Sequence, residues 1–315
     1  MPPGRPASHA VRLTVNDSMS PQLPRTALSI ALDSGEADAC SSMGTGVAGP
    51  STERTRRAER IRERVLDTPI DIIEWDETVA RIMAWGATRE SRTVALCNAH
   101  SLVTAQLDAD FARILDDMDM ATADGMSVVW VLRMLGHATQ QRINGPDLMW
   151  RCCERAEASK LSIYLLGSTE RTLALLETRL SAAFPTLRIA GTHSLPFRPL
   201  TDEEDATLVS DVNASGAHLV FVSLGCPKQE AWIAHHRGRI ASVMLGVGAA
   251  FDFLSGERSR APQWIQDNGL EWLYRMVHEP FRLTGRYFST NSRFIVGAAR
   301  QLARGRAQRR NSGRT

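Results

Sequence analysis

Stretches of almost unbroken apolar residues alternate with amphipathic stretches between residues 93 and 248. The apolar stretches predict strands, which in chain order are "TVALCN", "MATAD", "LSIYLLG", "LRIAG", "AHLVFVSLG" and "SVMLGVG". Between successive strands, apolar residues recur every three or four positions, which is the period of a helix. Strands that are apolar on both faces are typical of a parallel sheet covered by helices, so the sequence predicts an α/β fold with a Rossmann-like parallel sheet.

The regions that flank this core have a different composition. Residues 1–52 are rich in Pro, Ser, Gly and Ala without a sustained period, which predicts a disordered leader. Residues 53–66 are mostly charged and could form a charged helix, but they show little apolar face. The alternating pattern places the α/β core at 67–260, and the helix-like segments beyond it predict a helical C-terminal appendage with a basic tail at 261–315.

The positive charge of the chain is concentrated at its C-terminal end. The whole chain has a net charge of +2, yet from residue 258 onward there are twelve arginines and three acidic residues. Such a basic end suits phosphates, nucleic acid or an anionic membrane surface. We expect an amphipathic helix in the plane of the membrane interface, with apolar positions Phe294, Ile295, Ala298 and Leu302 and flanking Arg293, Arg300 and Arg304. The alternative is a solvated helix followed by a disordered basic tail.

Other patterns narrow the class of protein. The chain has no run of 18 apolar residues that could span a bilayer, and its N-terminus lacks the basic-then-apolar pattern of an export signal. The five cysteines show no paired metal-ligand spacing, which favours a reducing cytoplasm. We therefore expect a cytoplasmic protein.

A loop that follows one predicted strand favours an anion site. In an open parallel sheet, ligands bind beyond the carboxyl ends of the strands. The loop "LGSTERT" has Gly167 for close backbone approach and Ser168 or Thr169 as a helix cap, so a helix N-terminus there could hold an anion. An ordinary capped helix without a ligand explains the same pattern.

Two further strand ends carry small or polar residues. The loop "LGCPKQE" repeats the arrangement, with Gly225 at the turn and Pro227 suited to the first helical turn. Gln229 and Glu230 are then placed to face the crevice at the sheet edge. The third strand end, "LGVGAAFDF", lacks the Gly-x-Gly-x-x-Gly spacing, so the sequence does not support a nicotinamide cofactor.

Asp124 is the candidate for acid–base chemistry. It follows the strand "MATAD" and precedes Gly125, so its carboxylate projects from the carboxyl edge of the sheet, where it could accept a proton from a substrate hydroxyl. The alternative is an N-cap for the helix that starts at Gly125, and the pattern alone favours this capping role. Two Asp-x-Asp sequences, in "LDAD" and "DDMD", fall within a helical pattern, so we predict no metal site from them.

Seven segments together resemble the WecG/TagA/CpsF family of bacterial glycosyltransferases (glycosyltransferase family 26). They occur in family order and are "CNAHSLVTA", "TADGMSVVW", "QRINGPDL", "LLGSTE", "VSLGCPKQEAWI", "GVGAAFDFLSGERSRAPQW" and "GLEWLYRMVHEPFRLTGRY". The resemblance implies an inverting, metal-independent transfer of a sugar from a UDP-sugar to a polyprenyl-diphosphate-linked saccharide during cell-surface polysaccharide synthesis. The sugar would be of the N-acetylmannosamine, uronic acid or glucose type, and the enzyme would act on the inner face of the plasma membrane.

The resemblance also implies roles for individual residues. Asp124 stands where the family places its base, and Asn98, Arg142 and Gln229 match residues of the substrate pocket. Arginines of the family's appendage that meet the diphosphate are matched by Arg275, Arg282 and Arg286. One departure is Leu96, because many members carry threonine two residues before the asparagine.

Three other interpretations remain open on the sequence. The alternative from another class is a non-catalytic protein of this fold that binds a nucleotide sugar or a lipid phosphate. An oxidoreductase is disfavoured by the missing nicotinamide fingerprint, and nucleic-acid binding by the lack of a base-reading module. We therefore expect a UDP-sugar-dependent hexosyltransferase without a cofactor, with partners limited to donor, acceptor and the cytoplasmic membrane surface, and with homo-oligomerisation left open.

Overall fold

The chain is described here by a computed structural model, which covers residues 60–196, 198–267, 270–271, 273–274 and 290–305. The predicted leader at 1–52 lies outside the described residues, as do Arg275, Arg282 and Arg286. The predicted domain boundaries therefore stay predictions.

The described strands form a two-stranded antiparallel hairpin and a six-stranded parallel sheet. The hairpin is built from β1 (Arg62–Val65) and β2 (Thr68–Asp71). The sheet has the order β4-β3-β8-β7-β5-β6, with β3 (Arg92–Cys97), β4 (Met120–Ala123), β5 (Ser162–Gly167), β6 (Arg188–His193), β7 (Leu219–Ser223) and β8 (Val243–Gly246). All five strand pairs of this sheet are parallel, which confirms the predicted fold class and places the six carboxyl ends at one edge.

Helices connect and cover these strands. They are α1 (Trp75–Ala87), α2 (Ala99–Leu107), α3 (Ala109–Asp117), α4 (Met126–Leu135), α5 (Gly145–Ala158), α6 (Glu170–Ala183), α7 (Asp202–Ser215), α8 (Lys228–His236), α9 (Ala250–Leu254) and α10 (Gln263–Asp267). Residues 290–305 form a further helix, which we call the C-terminal helix.

Apolar side chains pack on both faces of the sheet. In β7, Val220 and Val222 face the helices α2, α3, α4, α7 and α8, whereas Leu219 and Phe221 face α1, α5, α6 and α9. Because successive side chains of a strand point to opposite faces, a strand covered on both sides must be apolar throughout. Full burial of one such side chain contributes about 1.5–3 kcal/mol.

The interpretation of residues 53–66 as a charged helix is wrong for the part of this segment that the structure describes, residues 60–66. Residues 62–65 form strand β1, which ends with the buried Val65 and pairs with β2 across a short turn. Arg60 donates to both carboxylate oxygens of the buried Asp71, and Asp71 also accepts the backbone N–H of Ala121 next to the sheet. Tertiary packing and these ion-paired bonds override the helical propensity of the charged sequence.

The amphipathic segment before β4 is two helices rather than the single helix that its period predicts. Asp108 has extended backbone angles between α2 and α3, and its carboxylate accepts the N–H groups of Asp110 and Phe111. This cap starts a new helix with a new direction, which the spacing of apolar residues alone does not reveal.

The C-terminal helix is docked on the core by part of its apolar face. Phe294 and Ala298, which we expected at a membrane interface, are 4% and 6% exposed and belong to the core cluster, so the prediction is wrong for these two residues. The side chain of Gln301 accepts the backbone N–H of Leu66 at 2.9 Å and so ties the helix to the hairpin turn. Ile295, on another side of the helix, is 65% exposed.

Candidate active site

Asp124 lies where the chain leaves β4 at the carboxyl edge of the sheet. Its backbone N–H donates to the carbonyl oxygen of Cys97 at 2.9 Å, which continues the ladder between β3 and β4 by one residue. The N-cap of α4 is Gly125, and no side chain caps this helix. The capping role that the pattern favoured for Asp124 is therefore wrong.

Asn98 connects Asp124 to the start of α2. Its Oδ1 accepts the backbone N–H groups of His100 at 3.0 Å and Ser101 at 3.3 Å, which completes a capping box. Because the oxygen is used in the cap, the amide nitrogen is left to face Asp124, and Nδ2 lies 3.5 Å from Asp124 Oδ2. A Cβ at Gly125 would lie 3.3 Å from Asn98 Cβ, so the glycine allows α4 to start close to this side chain.

Arg142 reaches the same edge from the loop before α5. The N–H of Ile143 donates to the carbonyl of Ala123 at 2.9 Å, which holds this loop along β4. Arg142 donates through Nε to the backbone carbonyl of Asp124, and its Nη2 lies 2.7 Å from Glu271 Oε2 and 3.9 Å from Asp124 Oδ1.

The guanidinium of Arg142 keeps its charge although it is largely buried. Burial acts to lower the pKa of Arg142, but the neighbouring carboxylates of Asp124, Glu271 and Asp147 outweigh it and raise the pKa. The site therefore contains a fixed cation between carboxylates, a group that can stabilise an oxyanion or a phosphate oxygen.

The loop after β5 is pressed against the end of β7. Gly167 has a φ of 97°, and a Cβ there would lie 2.6 Å from the carbonyl oxygen of Ser223. Ser168, with a φ of 61°, donates its N–H to the same oxygen at 3.1 Å. Thr169 is the cap of α6, since its hydroxyl accepts the N–H of Thr172 at 3.1 Å. The structure thus identifies Thr169, of the two predicted candidates, as the cap.

The loop after β7 carries its polar residues below the surface. Gly225 has a φ of 76°, and α8 starts directly after Pro227. Gln229 accepts the N–H of Gly248 at 3.0 Å and donates to Glu230 Oε1 at 2.9 Å. Both side chains are buried, and burial raises the pKa of Glu230 despite the hydrogen bond from Gln229. Their position links the ends of β7 and β8 beneath the edge.

A model of the Glycosyl transferase WecG/TagA/CpsF family matches residues 63–308. The chain belongs to the WecG/TagA/CpsF family. The match spans the whole six-stranded sheet, the cluster of Asn98, Asp124 and Arg142, and the C-terminal helix.

A second ion pair of this glycosyl transferase family member lies next to Arg142. Asp147, in the first turn of α5, accepts from Arg260, and Arg260 also donates to Asn144 Oδ1 at 3.0 Å. Burial acts to raise the pKa of Asp147, but the bonds from Arg260 and Asn144 lower it overall. The carboxylate is thus held ionised, and it helps to keep the charge of Arg142.

The structure brings three of the predicted site residues together. Asn98, Asp124 and Arg142 form one cluster, whereas the departure from the family pattern, Leu96, is a buried core residue beneath Gly145. Sequence reasoning missed Glu271, which lies in the segment that we assigned to the appendage. One feature of the sequence could have indicated Glu271 as a site residue: it is one of only two carboxylates in the last matching segment, "GLEWLYRMVHEPFRLTGRY".

The requirements of a membrane-spanning helix and of a metal site are not met by the described residues of this family member. None of its described helices combines the length and the apolar character that a bilayer crossing requires. Among the same residues, no three His, Cys, Asp or Glu side chains are grouped so that they could hold a metal ion.

Proposed function

We propose that this member of the WecG/TagA/CpsF family is an inverting, UDP-sugar-dependent hexosyltransferase in cell-surface polysaccharide synthesis. Its acceptor is a polyprenyl-diphosphate-linked saccharide, and Asp124 is the general base. The observation that carries the proposal is the position of the Asp124 carboxylate, which leaves the carboxyl edge of β4, does not cap α4 and lies beside an amide and a guanidinium.

The proposed reaction is a single displacement at the anomeric carbon of the donor sugar. A hydroxyl oxygen of the acceptor forms the new bond to this carbon, and its proton passes to the carboxylate of Asp124. The bond between the anomeric carbon and the β-phosphate oxygen of UDP breaks at the same time, and UDP takes the electron pair. Attack from the side opposite to UDP inverts the configuration at that carbon.

Departure of UDP requires positive charge near the diphosphate. Arg142 is a cation at the sheet edge that its carboxylate neighbours keep protonated, and α6 starts at the same edge behind Gly167, Ser168 and Thr169. Preorganised donors of this kind stabilise developing negative charge without reorganisation. Additional diphosphate contacts proposed from the family resemblance are Arg275, Arg282 and Arg286. A metal is then not needed, and we expect a chelator to leave turnover unchanged.

A panel of donors tests the proposal. The full-length chain is incubated with UDP-N-acetylmannosamine, its uronic acid form or UDP-glucose, together with a polyprenyl-diphosphate-linked saccharide, and the release of UDP is measured. We expect UDP release with one donor only when the lipid acceptor is present. Binding of a UDP-sugar without turnover for any donor and acceptor would instead favour the non-catalytic binding protein.

The proposed membrane contact rests on a groove of about 720 Å³ that lies between the C-terminal helix and α2. Leu107, Leu135 and Val296 line it, and Leu107 and Val296 are 66% and 48% exposed. Three exposed arginines line the same groove, namely Arg293, Arg300 and Arg304. Apolar surface bordered by cations suits an anionic lipid, because the phosphate pairs with the arginines while the upper acyl chain covers the apolar residues.

Substitution tests this contact better than deletion, since removal of the helix would also remove Phe294 and Ala298 from the core. We expect a triple variant with Arg293→Gln, Arg300→Gln and Arg304→Gln to bind phosphatidylglycerol vesicles about a hundredfold more weakly, because each arginine contributes about 1 kcal/mol. A matched control replaces Arg113, Arg171 and Arg198 by Gln on other surfaces. Equal binding by both triple variants would contradict the contact.

A further inference from the structure

Arg142 is held between two carboxylates that come from different parts of the chain. Its Nη2 lies 2.7 Å from Glu271 and 3.9 Å from Asp124 Oδ1, while its Nε donates to the backbone carbonyl of Asp124. The side chains of Glu271, Arg142 and Asp124 are 15%, 18% and 24% exposed, so solvent screens their charges only partly. Glu271 therefore holds the stronger of the two ion pairs.

The Nη2 group of Arg142 is in hydrogen-bond contact with Glu271 at 2.7 Å but not with Asp124 at 3.9 Å. An arginine with a single carboxylate partner commonly forms two parallel N–H···O bonds to it, and at 3.9 Å the pair with Asp124 is far from this arrangement. Two of the N–H donors of Arg142 are therefore used elsewhere. Nη2 donates to Glu271, and Nε donates to the backbone carbonyl of Asp124 rather than to its carboxylate.

We propose that Glu271 is a positioning residue, which holds Arg142 so that the guanidinium does not close onto the carboxylate of Asp124. The inference rests on the proposed function, in which Asp124 takes the proton of the acceptor. A carboxylate that is neutralised by a bidentate arginine is a weaker base, because the cation stabilises its charged form. Glu271 lies beyond α10, so a residue that is distant from Asp124 in sequence sets the basicity of the carboxylate at the sheet edge.

Other titratable groups surround the pair and stay constant in the comparison. Asp147 acts on Arg142 from α5. Cys97 at the end of β3 lies within the electrostatic reach of Asp124, Glu230 and Cys226. Loss of the charge of Glu271 has two effects on Asp124 in this setting: a negative neighbour disappears and the cation moves closer. Both effects favour the charged form of the carboxylate, so its protonation requires a lower pH.

The test is the pH profile of kcat/KM for Glu271→Gln, which removes the charge but keeps an acceptor for Arg142. We expect the acid limb to move to lower pH by about 1 unit and the plateau of kcat to fall about three- to tenfold. Glu271→Asp, which keeps the charge, should restore the acid limb towards that of the wild type. Glu204→Gln, in an ion pair with Arg198 on the surface, is the matched control and should leave the profile unchanged.

A second readout does not depend on turnover. Carbon-13 labelling of the aspartate carboxyl groups allows the titration of Asp124 to be followed by NMR, with its signal assigned by its absence in Asp124→Asn. Glu271→Gln should lower the midpoint of this titration, and the change should become much smaller when Arg142→Met is also present, because only the loss of the negative neighbour then remains. If Glu271→Gln does not fold, Glu271→Asp is compared with the wild type for a smaller shift of the same sign.

Several outcomes would overturn the inference. An unchanged midpoint in Glu271→Gln, or a loss of rate without a shift of the acid limb, would show that Glu271 only stabilises the fold. A midpoint shift of undiminished size with Arg142→Met would show that Glu271 does not act through Arg142. Failure of the proposed function is recognised separately, because Asp124→Asn would then retain full turnover, or no donor would react, whatever the midpoint does.

Discussion

Two polar clusters at the carboxyl edge of the same sheet differ in their burial. Asn98, Asp124 and Arg142 form the first cluster, beside β3 and β4, where Asp124 and Arg142 are partly exposed. Gln229 and Glu230 form the second, beside β7 and β8, and are 4% and 1% exposed. In sequence Asn98 and Asp124 resemble Gln229 and Glu230, because all four are polar residues that follow a buried strand.

The difference in burial separates two kinds of role. A partly exposed carboxylate beside a cation can exchange a proton with a bound hydroxyl. A buried amide that bonds to the backbone N–H of Gly248 instead holds the two loop ends in place, because an unpaired buried N–H is costly. We therefore expect substitutions in the first cluster to change the rate and substitutions in the second to change the stability.

The largest effect is expected from Asp124→Asn, which keeps the shape of the side chain but removes its basicity. Turnover should fall by about 10²-fold or more with little change in donor affinity, because the acceptor proton loses its destination. UDP release measures turnover, and calorimetric titration with a UDP-sugar measures affinity. Near-normal turnover in this variant would show that Asp124 is not the base. The first cluster would then have no catalytic role to distinguish it from the second.

Gln229→Ala should mainly destabilise the fold. It leaves the N–H of Gly248 without its acceptor and opens a gap over Gly246, where an added Cβ would lie 3.0 Å from Gln229 Nε2. We expect the free energy of unfolding in urea to fall by about 1–3 kcal/mol. Lys228→Ala, at the exposed neighbouring position, is the control and should stay within about 0.5 kcal/mol. Unchanged stability together with a raised KM for the donor would place Gln229 in the substrate pocket instead.

Glu230→Gln should change how stability depends on pH. Since burial raises the pKa of Glu230 in the folded protein, the folded state binds its proton more tightly than the unfolded state. Stability is then lost as the pH rises above the usual carboxyl range towards the folded pKa. The glutamine variant has no group that titrates here. Its free energy of unfolding should therefore rise relative to that of the wild type as the pH increases from the usual carboxyl pKa to the raised pKa of Glu230. Parallel pH profiles for the two proteins would contradict a raised pKa for Glu230.

The sequence predicts the sheet well and its surroundings less well. Continuously apolar strands such as "LVFVS" have few alternatives to a doubly covered parallel sheet, and α7 lies between two strands, where the helical period predicts a helix. Helix α1 was not predicted, although Val79, Ile82, Met83 and Gly86 repeat at helical spacing on its buried side. Hairpin β1–β2 could not be predicted from its charged sequence, since its stability depends on packing against distant residues.

The candidate site shows the same limit. Position after a strand was enough to select Asp124, but only the geometry of the cap shows that its side chain does not hold α4. Glu271 lies 129 residues from Arg142 in sequence, and no local pattern indicates that the two form an ion pair. Contacts of such long range are decided by how the chain folds back, so they are the part of a site that a single sequence does not reveal.

The smallest effect on turnover and stability is expected at Asn98, which both caps a helix and contacts the proposed base. Asn98 caps α2 through its oxygen and faces Asp124 through its amide nitrogen. Asn98→Ser keeps a capping oxygen but loses the amide, so stability should change by only a few tenths of a kcal/mol while turnover falls by a few fold.

Asn98→Ala removes both functions of this side chain and should in addition cost about 1 kcal/mol of stability. Urea unfolding and UDP release on the two variants therefore separate the cap from the contact to Asp124. Full turnover in the serine variant would mean that the amide group does nothing for the base, and that Asn98 belongs with the structural cluster around Gln229.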